Sequence, residues 1–293
     1  MEMKQSRPFS FFTDNYRVLF QRGNLFYLII PLLVYLAVFY AYPMFQMISR
    51  SLFDPDLTLE HYQEFFSVSA FTVVMLNTFS IAFFTTILCL LLGYPIGYLL
   101  TIVSQKTAQV LMMFIIIPFW ISILVRSYAW MVLLGRNGIL NQILMKIELI
   151  QSPLPLMHNR LGVYVGMINV LLPFMILPLY SVMKGIDRNL VKSAQILGAP
   201  PWKAFLKVFF PLSLPGVAGG GLLVFIIALG FFITPALLGG PKDTMISLLI
   251  QTQIEDLLNW GLASALATIL LINALIVFVI YNRFLGIDRL VSR

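Results

Sequence analysis

The sequence predicts an all-α integral membrane protein with six transmembrane helices, and three observations carry that prediction. Of the 293 residues, 60% are hydrophobic and only 11% are charged, against about 25% charged and 45–50% apolar in a soluble domain. Mean hydropathy is +0.92. Six apolar stretches each reach the roughly 20 residues that a bilayer core about 30 Å thick demands of a helix. They run over 25–47, 72–103, 109–134, 161–183, 211–237 and 261–281.

The first stretch follows a polar arm, MEMKQSRPFSFFTDNYRVLFQRGN. That arm is too long and too aromatic for a signal-peptide n-region, and no small-residue cleavage site follows, so the first helix is expected to remain as an anchor. The second stretch holds the single cysteine, Cys89, which rules out a disulfide framework and reads as a small packing side chain. Proline and glycine recur in the later stretches: Pro95 and Gly97, Pro118, Pro173 and Pro178, Gly219 to Gly221, and Gly230. Neighbouring helices absorb such breaks in a membrane and small residues let backbones approach closely, so these positions mean a packed bundle. The third stretch carries Arg126, the one ionisable residue inside a span. A charge at that depth marks function by default. The alternative is that it snorkels to the interface, since Gly135 and Arg136 close the helix about two turns later.

Lys and Arg favour the cytoplasmic side of short loops. Lys4, Arg7, Arg17 and Arg22 precede the first helix, and Lys106 sits between the second and third. Lys184, Arg188, Lys192, Lys203 and Lys207 sit between the fourth and fifth, and Arg283, Arg289 and Arg293 close the chain. The opposite loops hold Asp54, Asp56, Glu60 and Glu64, then Asp243, Glu255 and Asp256. The loop around 135–160 is mixed, with Arg136, Lys146 and Arg160 against Glu148. Both termini are therefore expected in the cytoplasm, and the net charge of +7 belongs to membrane topology, with no nucleic acid partner implied.

Several chemistries are missing. His61 and His158 fall in loops, every carboxylate lies outside the six spans, and no His/Cys/Asp/Glu group has metal-ligand spacing. An ion-driven carrier buries carboxylates along its path and often repeats itself in inverted halves, and neither feature is present. There is no G-x-x-x-x-G-K-[ST] phosphate loop. Any energy for transport has to come from another chain.

One basic insert interrupts this apolar chain: residues 192–216, KSAQILGAPPWKAFLKVFFPLSLPG. It reads as two short helices. The first, around 188–197, ends at Gly198, which accepts a left-handed backbone. Pro200 and Pro201 suit a fresh helix start, where a missing N–H costs nothing. In the second helix Trp202, Phe205, Leu206 and Phe209 follow i, i+3, i+4, i+7 and make one apolar face, with Lys203 and Lys207 on the other flank. Such a helix lies on the inner leaflet or fills a partner's groove, and periodicity alone leaves both open.

Residues 192–211 resemble the cytoplasmic loop of the permeases of binding-protein-dependent ABC importers, whose pattern is E-A-A, three residues, Gly, nine residues, then Ile-x-Leu-Pro. Ser193 and Ala194 match the alanines, Gly198 the glycine, Val208 the isoleucine, Phe210 the leucine and Pro211 the proline. Lys192 stands where that family has glutamate, which implies that this half of the interface is weaker or is compensated by a partner permease. LNTFSIAFFTTILCLLLGYPIGYLL (76–100) resembles the opening helix of the shared domain. IPFWISILVRSYAWMVLLGRNGILN (117–141) and FFITPALLGGPKDTMISLLIQTQI (231–254) are similar to the spermidine/putrescine branch and its opine-type relatives.

The resemblance covers roughly 70–283 and implies a type I ABC importer permease fold in a bacterial inner membrane. Residues 1–70 would form the arm, first helix and first periplasmic loop, 71–283 the permease domain with its coupling loop at 184–210, and 284–293 a cytoplasmic tail. The implied partners are a second homologous permease, two cytosolic ATPase subunits that bind ATP and Mg, and a periplasmic substrate-binding protein. The chain itself would be no enzyme and carry no cofactor. Lys192, Ser193, Ala194, Gly198, Pro201, Trp202 and Phe205 would couple it to the ATPase. The substrate path is expected along Trp120, Arg126, Tyr128, Trp130, Asn169, Phe174, Phe231 and Thr234, all mid-span polar or aromatic residues. The solute is expected to be a polyamine, opine or amino-acid-like molecule. The rings offer cation–π contact to an ammonium group, whereas Arg126 repels one, so either the partner permease supplies acids or the solute carries a carboxylate. A self-contained carrier or channel is the alternative class.

Overall fold

The computed structural model describes residues 25–53 and 56–285 of the chain. The basic arm and the tail after Leu285, with the cytoplasmic termini expected of them, lie outside the described residues. The described chain is an all-α bundle. The first span is built from α1 (Leu25–Leu36) and α2 (Tyr42–Leu52), joined by a π turn over Ala37–Ala41. A short helix α3 (Glu60–Ser67) leads into α4 (Ser69–Ile102), whose 34 residues run about 51 Å at 1.5 Å per residue.

The third expected span, 109–134, is not one straight helix. A helix α5 (Gln105–Ile116) tightens into a 3-10 turn over Ile117–Trp120, and the chain then bends by 98° into α6 (Ile123–Leu134) and α7 (Ile139–Lys146). Pro118 sits at the start of the 3-10 turn, and Ile121 and Ser122 are extended, with ψ of 134 and 136°. The described chain therefore has five uninterrupted helices long and apolar enough to cross a membrane, and six if this bent pair counts as one.

The centre of the bundle is α8 (Arg160–Lys184). It packs against α4 and against α11 (Phe210–Leu229), and Met167, Leu171, Met175, Leu179 and Met183 along it are buried with Ile81, Val224 and Leu229 from those neighbours. Glycines set the approach. A Cβ at Gly93 of α4 would meet Met175 Cγ at 2.9 Å, and one at Gly216 of α11 would lie 3.2 Å from the Leu179 Cα. Without a hydrophobic force between helices in lipid, close backbone packing of this kind carries the association. The first span stands apart: residues 29–46 are exposed, and α2 alone runs along α14 (Trp260–Leu285).

The insert folds as α9 (Arg188–Ile196), then α10 (Pro201–Ala204), then a π turn over Phe205–Phe209 that passes directly into α11. The second short helix is thus no separate element but the first turns of a helix running from Pro201 to Leu229. Both π turns end just before a proline. The Tyr42 N–H reaches back to the Ala37 carbonyl before Pro43, and the Phe210 N–H to the Phe205 carbonyl before Pro211. A proline lacks the N–H and its ring crowds the carbonyl four residues back, so one widened turn absorbs it.

The fifth span ends earlier than the expected 237. It stops at Leu229, and Gly230 leads to a separate α12 (Ile233–Leu238) and then to α13 (Ile246–Glu255). The Ser247 hydroxyl donates to the Phe231 carbonyl at 2.6 Å, meeting the acceptor freed at the break. At this same end, Arg160 clamps three elements. Its Nε contacts Asp243 Oδ1 at 3.0 Å and its Nη2 donates to Asn77 Oδ1 at 3.0 Å, while Asn77 donates to the Lys242 carbonyl at 2.9 Å.

Candidate functional site

Two regions collect the residues singled out by sequence. The first is the basic end of the bundle. Asp187 caps α9 by accepting the Asn189 N–H at 2.9 Å, and Gly198 closes it at φ +90°, where a Cβ would meet nothing within 4 Å. Lys192 and Ser193 are exposed, Ala194 is half-buried and Pro201 is exposed. Trp202 stands 61% exposed with the Lys203 ammonium 5.3 Å over its ring.

The expected single apolar face of 202–209 is split. Trp202 and Leu206 face outward, whereas Phe205 and Phe209 turn into the bundle. Their rings lie 5.2 and 5.0 Å from Tyr98, and Phe205 also meets Tyr94. The π turn at 205–209 changes the helical phase, which breaks the 3.6-residue spacing that grouped these four. Phe205 therefore faces into the bundle and supports the loop from inside.

Sequence reasoning passed over the most exposed apolar residues of the loop, Ile196 at 85% and Leu197 at 88%. They stand at the tip, just before Gly198. Arg188 was also passed over as more than a topological charge. It donates to the carbonyl and, at 3.1 Å, to the hydroxyl of Thr101, joining α9 to the end of α4. Between α9, α4 and the Phe205–Phe209 turn lies a cavity of about 230 Å³.

The second region surrounds the bend in the third span. Trp120 is 84% exposed and Tyr128 is exposed, while Trp130, Asn169 and Phe174 are half-buried. The Phe119 and Phe174 rings meet edge to face at 5.5 Å, so the 3-10 turn leans on α8 beside Trp120. Arg126 lies one turn into α6. Its Nε and Nη1 are sealed from solvent and have no hydrogen-bond partner among the described residues. Leaving buried guanidinium donors unmet is costly, so this is a place where a missing partner is expected.

The remaining two candidates do not join an open path. Phe231 is buried in the main core and Thr234 is fully buried. The Thr234 hydroxyl lies 3.4 Å from that of Ser127, which locks α12 onto α6. Their polar and aromatic character reflects packing at the Gly230 break.

Known proteins match this architecture. The family model for the inner membrane component of binding-protein-dependent transport systems fits residues 91–286, and the chain belongs to that family. Its relatives include the spermidine/putrescine transport system permease protein PotB of Haemophilus influenzae, 34% identical over 88% of this chain and 89% of that protein. PotB of Escherichia coli K12 is 31% identical over 87% of this chain and 96% of its own length. A putative 2-aminoethylphosphonate transport system permease, PhnU of Salmonella typhimurium, is 27% identical over 88% of this chain and 91% of that protein. Among solved structures, a bacterial alginate ABC transporter in complex with its pentasaccharide-bound periplasmic protein superposes with a TM-score of 0.74 at 18% identity, covering 92% of this chain and 96% of that one. The fold is that of type I ABC importer permeases. The protein is a multi-pass inner membrane permease subunit of a binding-protein-dependent importer, and not a catalytic subunit.

Proposed function

We propose that this permease pairs with a second homologous permease, that two cytosolic ATPase subunits dock on residues 184–210, and that it imports a small amine-bearing solute of the polyamine class. The observation that carries the coupling reading is the tip Ile196–Leu197, which is 85 and 88% exposed at the basic end of the bundle. Exposed apolar side chains on a short polar loop favour a partner that covers them. ATP and Mg would bind on the ATPase, and both termini would share its side of the membrane. Closure of the ATPases would push Trp202 and the tip. Because Pro201–Leu229 is continuous, that push would reach the Gly230 break and turn the substrate path outward; hydrolysis would reset it.

The polyamine reading is supported by the relatives' transport of spermidine and putrescine, as their names state, and by the rings around the bend. Trp120, Tyr128, Trp130 and Phe174 offer faces to an ammonium group. Carboxylates for the amines would come from the second permease. The self-contained carrier has no observation in its favour in a binding-protein-dependent family.

The test is reconstitution of the chain with its genomic neighbours in proteoliposomes. Uptake of labelled putrescine or spermidine is expected only with internal ATP and the cognate binding protein. Uptake by this chain alone, without ATP, would overturn the coupling reading. ATP-dependent uptake of another solute would overturn only the substrate class.

A further inference from the structure

We infer that the cavity at the basic end receives a carboxylate side chain of the docked ATPase, so that the charge at this interface is inverted relative to a permease with glutamate at position 192. This rests on the coupling reading above and goes beyond it by naming the chemistry of the contact. The cavity of about 230 Å³ is lined by Arg188, Lys192 and Gln195 of α9 and by Tyr98, Phe205 and Phe209 opposite. Arg188 and Lys192 are one helical turn apart and share a face with Gln195, so two cations and an amide converge on one space. Like charges at this spacing weaken a helix unless something neutralises them.

No carboxylate among the described residues lies within ion-pair distance of either: Asp187 caps α9 through the Asn189 N–H, and the ion pair Arg160–Asp243 sits at the opposite end. Arg188 is held in place by Thr101 through Nη2, which keeps the guanidinium at the cavity. The opposite wall is a packed aromatic cluster, with Phe205 and Phe209 stacked at 5.5 Å. An apolar wall beside two cations leaves an anionic group as their only charge partner in this space.

The identity of the occupant follows from what adjoins it. Gln195 is followed directly by Ile196 and Leu197, so a body large enough to cover that tip also covers the mouth of the cavity. A free phosphate would neutralise the cations and leave the tip in water. A protein surface with an apolar groove rimmed by Asp or Glu meets both needs. Lys192 therefore does not leave a weakened half-interface; it specifies an ATPase of complementary charge.

The experiment uses the whole complex, both permeases with the ATPase, in nanodiscs, treated with a zero-length carbodiimide. The reagent activates a carboxylate, and a lysine amine within contact distance displaces it as the urea, forming an isopeptide bond. Mass spectrometry is expected to find Lys192 joined to an Asp or Glu of the ATPase. Lys192→Arg, which keeps the charge and lacks the amine, is expected to lose that link, which assigns it to the Lys192 amine. Lys192→Glu is expected to lower complex recovery and stimulated ATP hydrolysis by roughly tenfold, the scale of losing one close interfacial charge pair. If the ATPase co-purifies but Lys192 links to none of its carboxylates, or if Lys192→Glu assembles normally, the inference is wrong. It is also wrong if the effect of Lys192→Glu vanishes in nanodiscs of neutral lipid, because the cavity then holds a headgroup. Failure of the wild-type ATPase to co-purify at all would instead sink the coupling reading.

Discussion

The Arg188 guanidinium donates to both the carbonyl and the hydroxyl of Thr101, so the first helix of the basic loop is tied to the last turn of α4, 87 residues earlier in the chain. The carbonyls of a helix's last turn lack partners within the helix and carry its negative dipole end, which suits a cation there. The loop is thus fastened at two sides. Arg188 holds it to α4, and the aromatic cluster of Phe205 and Phe209 holds it to Tyr98.

Gly198 is the first point to test. At φ +90° any residue with a Cβ is strained by roughly 1 kcal/mol or more. The space around it is open, so the bundle itself has nothing to clash with. Gly198→Trp is expected to keep the melting temperature of the permease while abolishing stimulated ATP hydrolysis in the assembled complex. Gly198→Asn, which tolerates the left-handed region, should retain most of it. Normal coupling in Gly198→Trp would mean that the tip merely rests on the membrane surface.

Arg126 has two sealed donors with no partner among the described residues. If these donors meet a carboxylate of the second permease, Arg126→Ala should lower uptake by roughly tenfold or more with assembly intact. Arg126→Lys should recover only part of it, because an ammonium lacks the planar fork of donors. Full uptake in both variants would identify Arg126 as an interfacial anchor.

Gly166 touches the Gly230 break from α8. A Cβ there would lie 2.3 Å from Thr234 Cγ2 and 2.6 Å from Leu238 Cδ1. Gly166→Ala should therefore displace α12 and cost about 1–3 kcal/mol by overpacking. Thr234→Ser removes the nearer methyl, so the double variant should regain part of the loss. Melting can be followed with a thiol-reactive dye, since Cys89 is the only cysteine and is fully buried until the bundle opens. Additive losses in the double variant would refute the contact.

Asp243 is 8% exposed and bonds Arg160 Nε at 3.0 Å as well as the Gly240 N–H at 3.3 Å. Its replacement by alanine leaves Arg160 without its charge partner and frees a backbone donor. A loss of about 1–3 kcal/mol is expected, read as a melting temperature several degrees lower with the same dye. An unchanged melting curve would show that the clamp is not a stabilising element.

Much of the fold is legible in the sequence because apolar length is a local property. The central helix at 160–184 follows from its run of Val, Leu and Met, and the end of α9 follows from Gly198. The 98° bend was not legible: Pro118 signals a break, but nothing in Ile121 and Ser122 says how far the chain turns. A 3.6-residue spacing puts Phe205 and Phe209 on the outward face with Trp202, whereas the π turn before Pro211 shifts the phase and turns them inward. Ile196 and Leu197 look like ordinary helix residues, and only tertiary placement reveals that nothing covers them. The partner of Arg188 lies too far away in sequence for any pattern to suggest it.

The helix from Pro201 to Leu229 behaves as a lever. Its 29 residues span about 43 Å, with Trp202 at the basic end and Gly230 at the other. A tilt of about 5° at the basic end would swing the far end by about 4 Å, at 1.5 Å per residue of arm. If ATPases drive that tilt as proposed, α12 would be carried away from α6, and the Ser127 and Thr234 hydroxyls, 3.4 Å apart, would be the first pair to part.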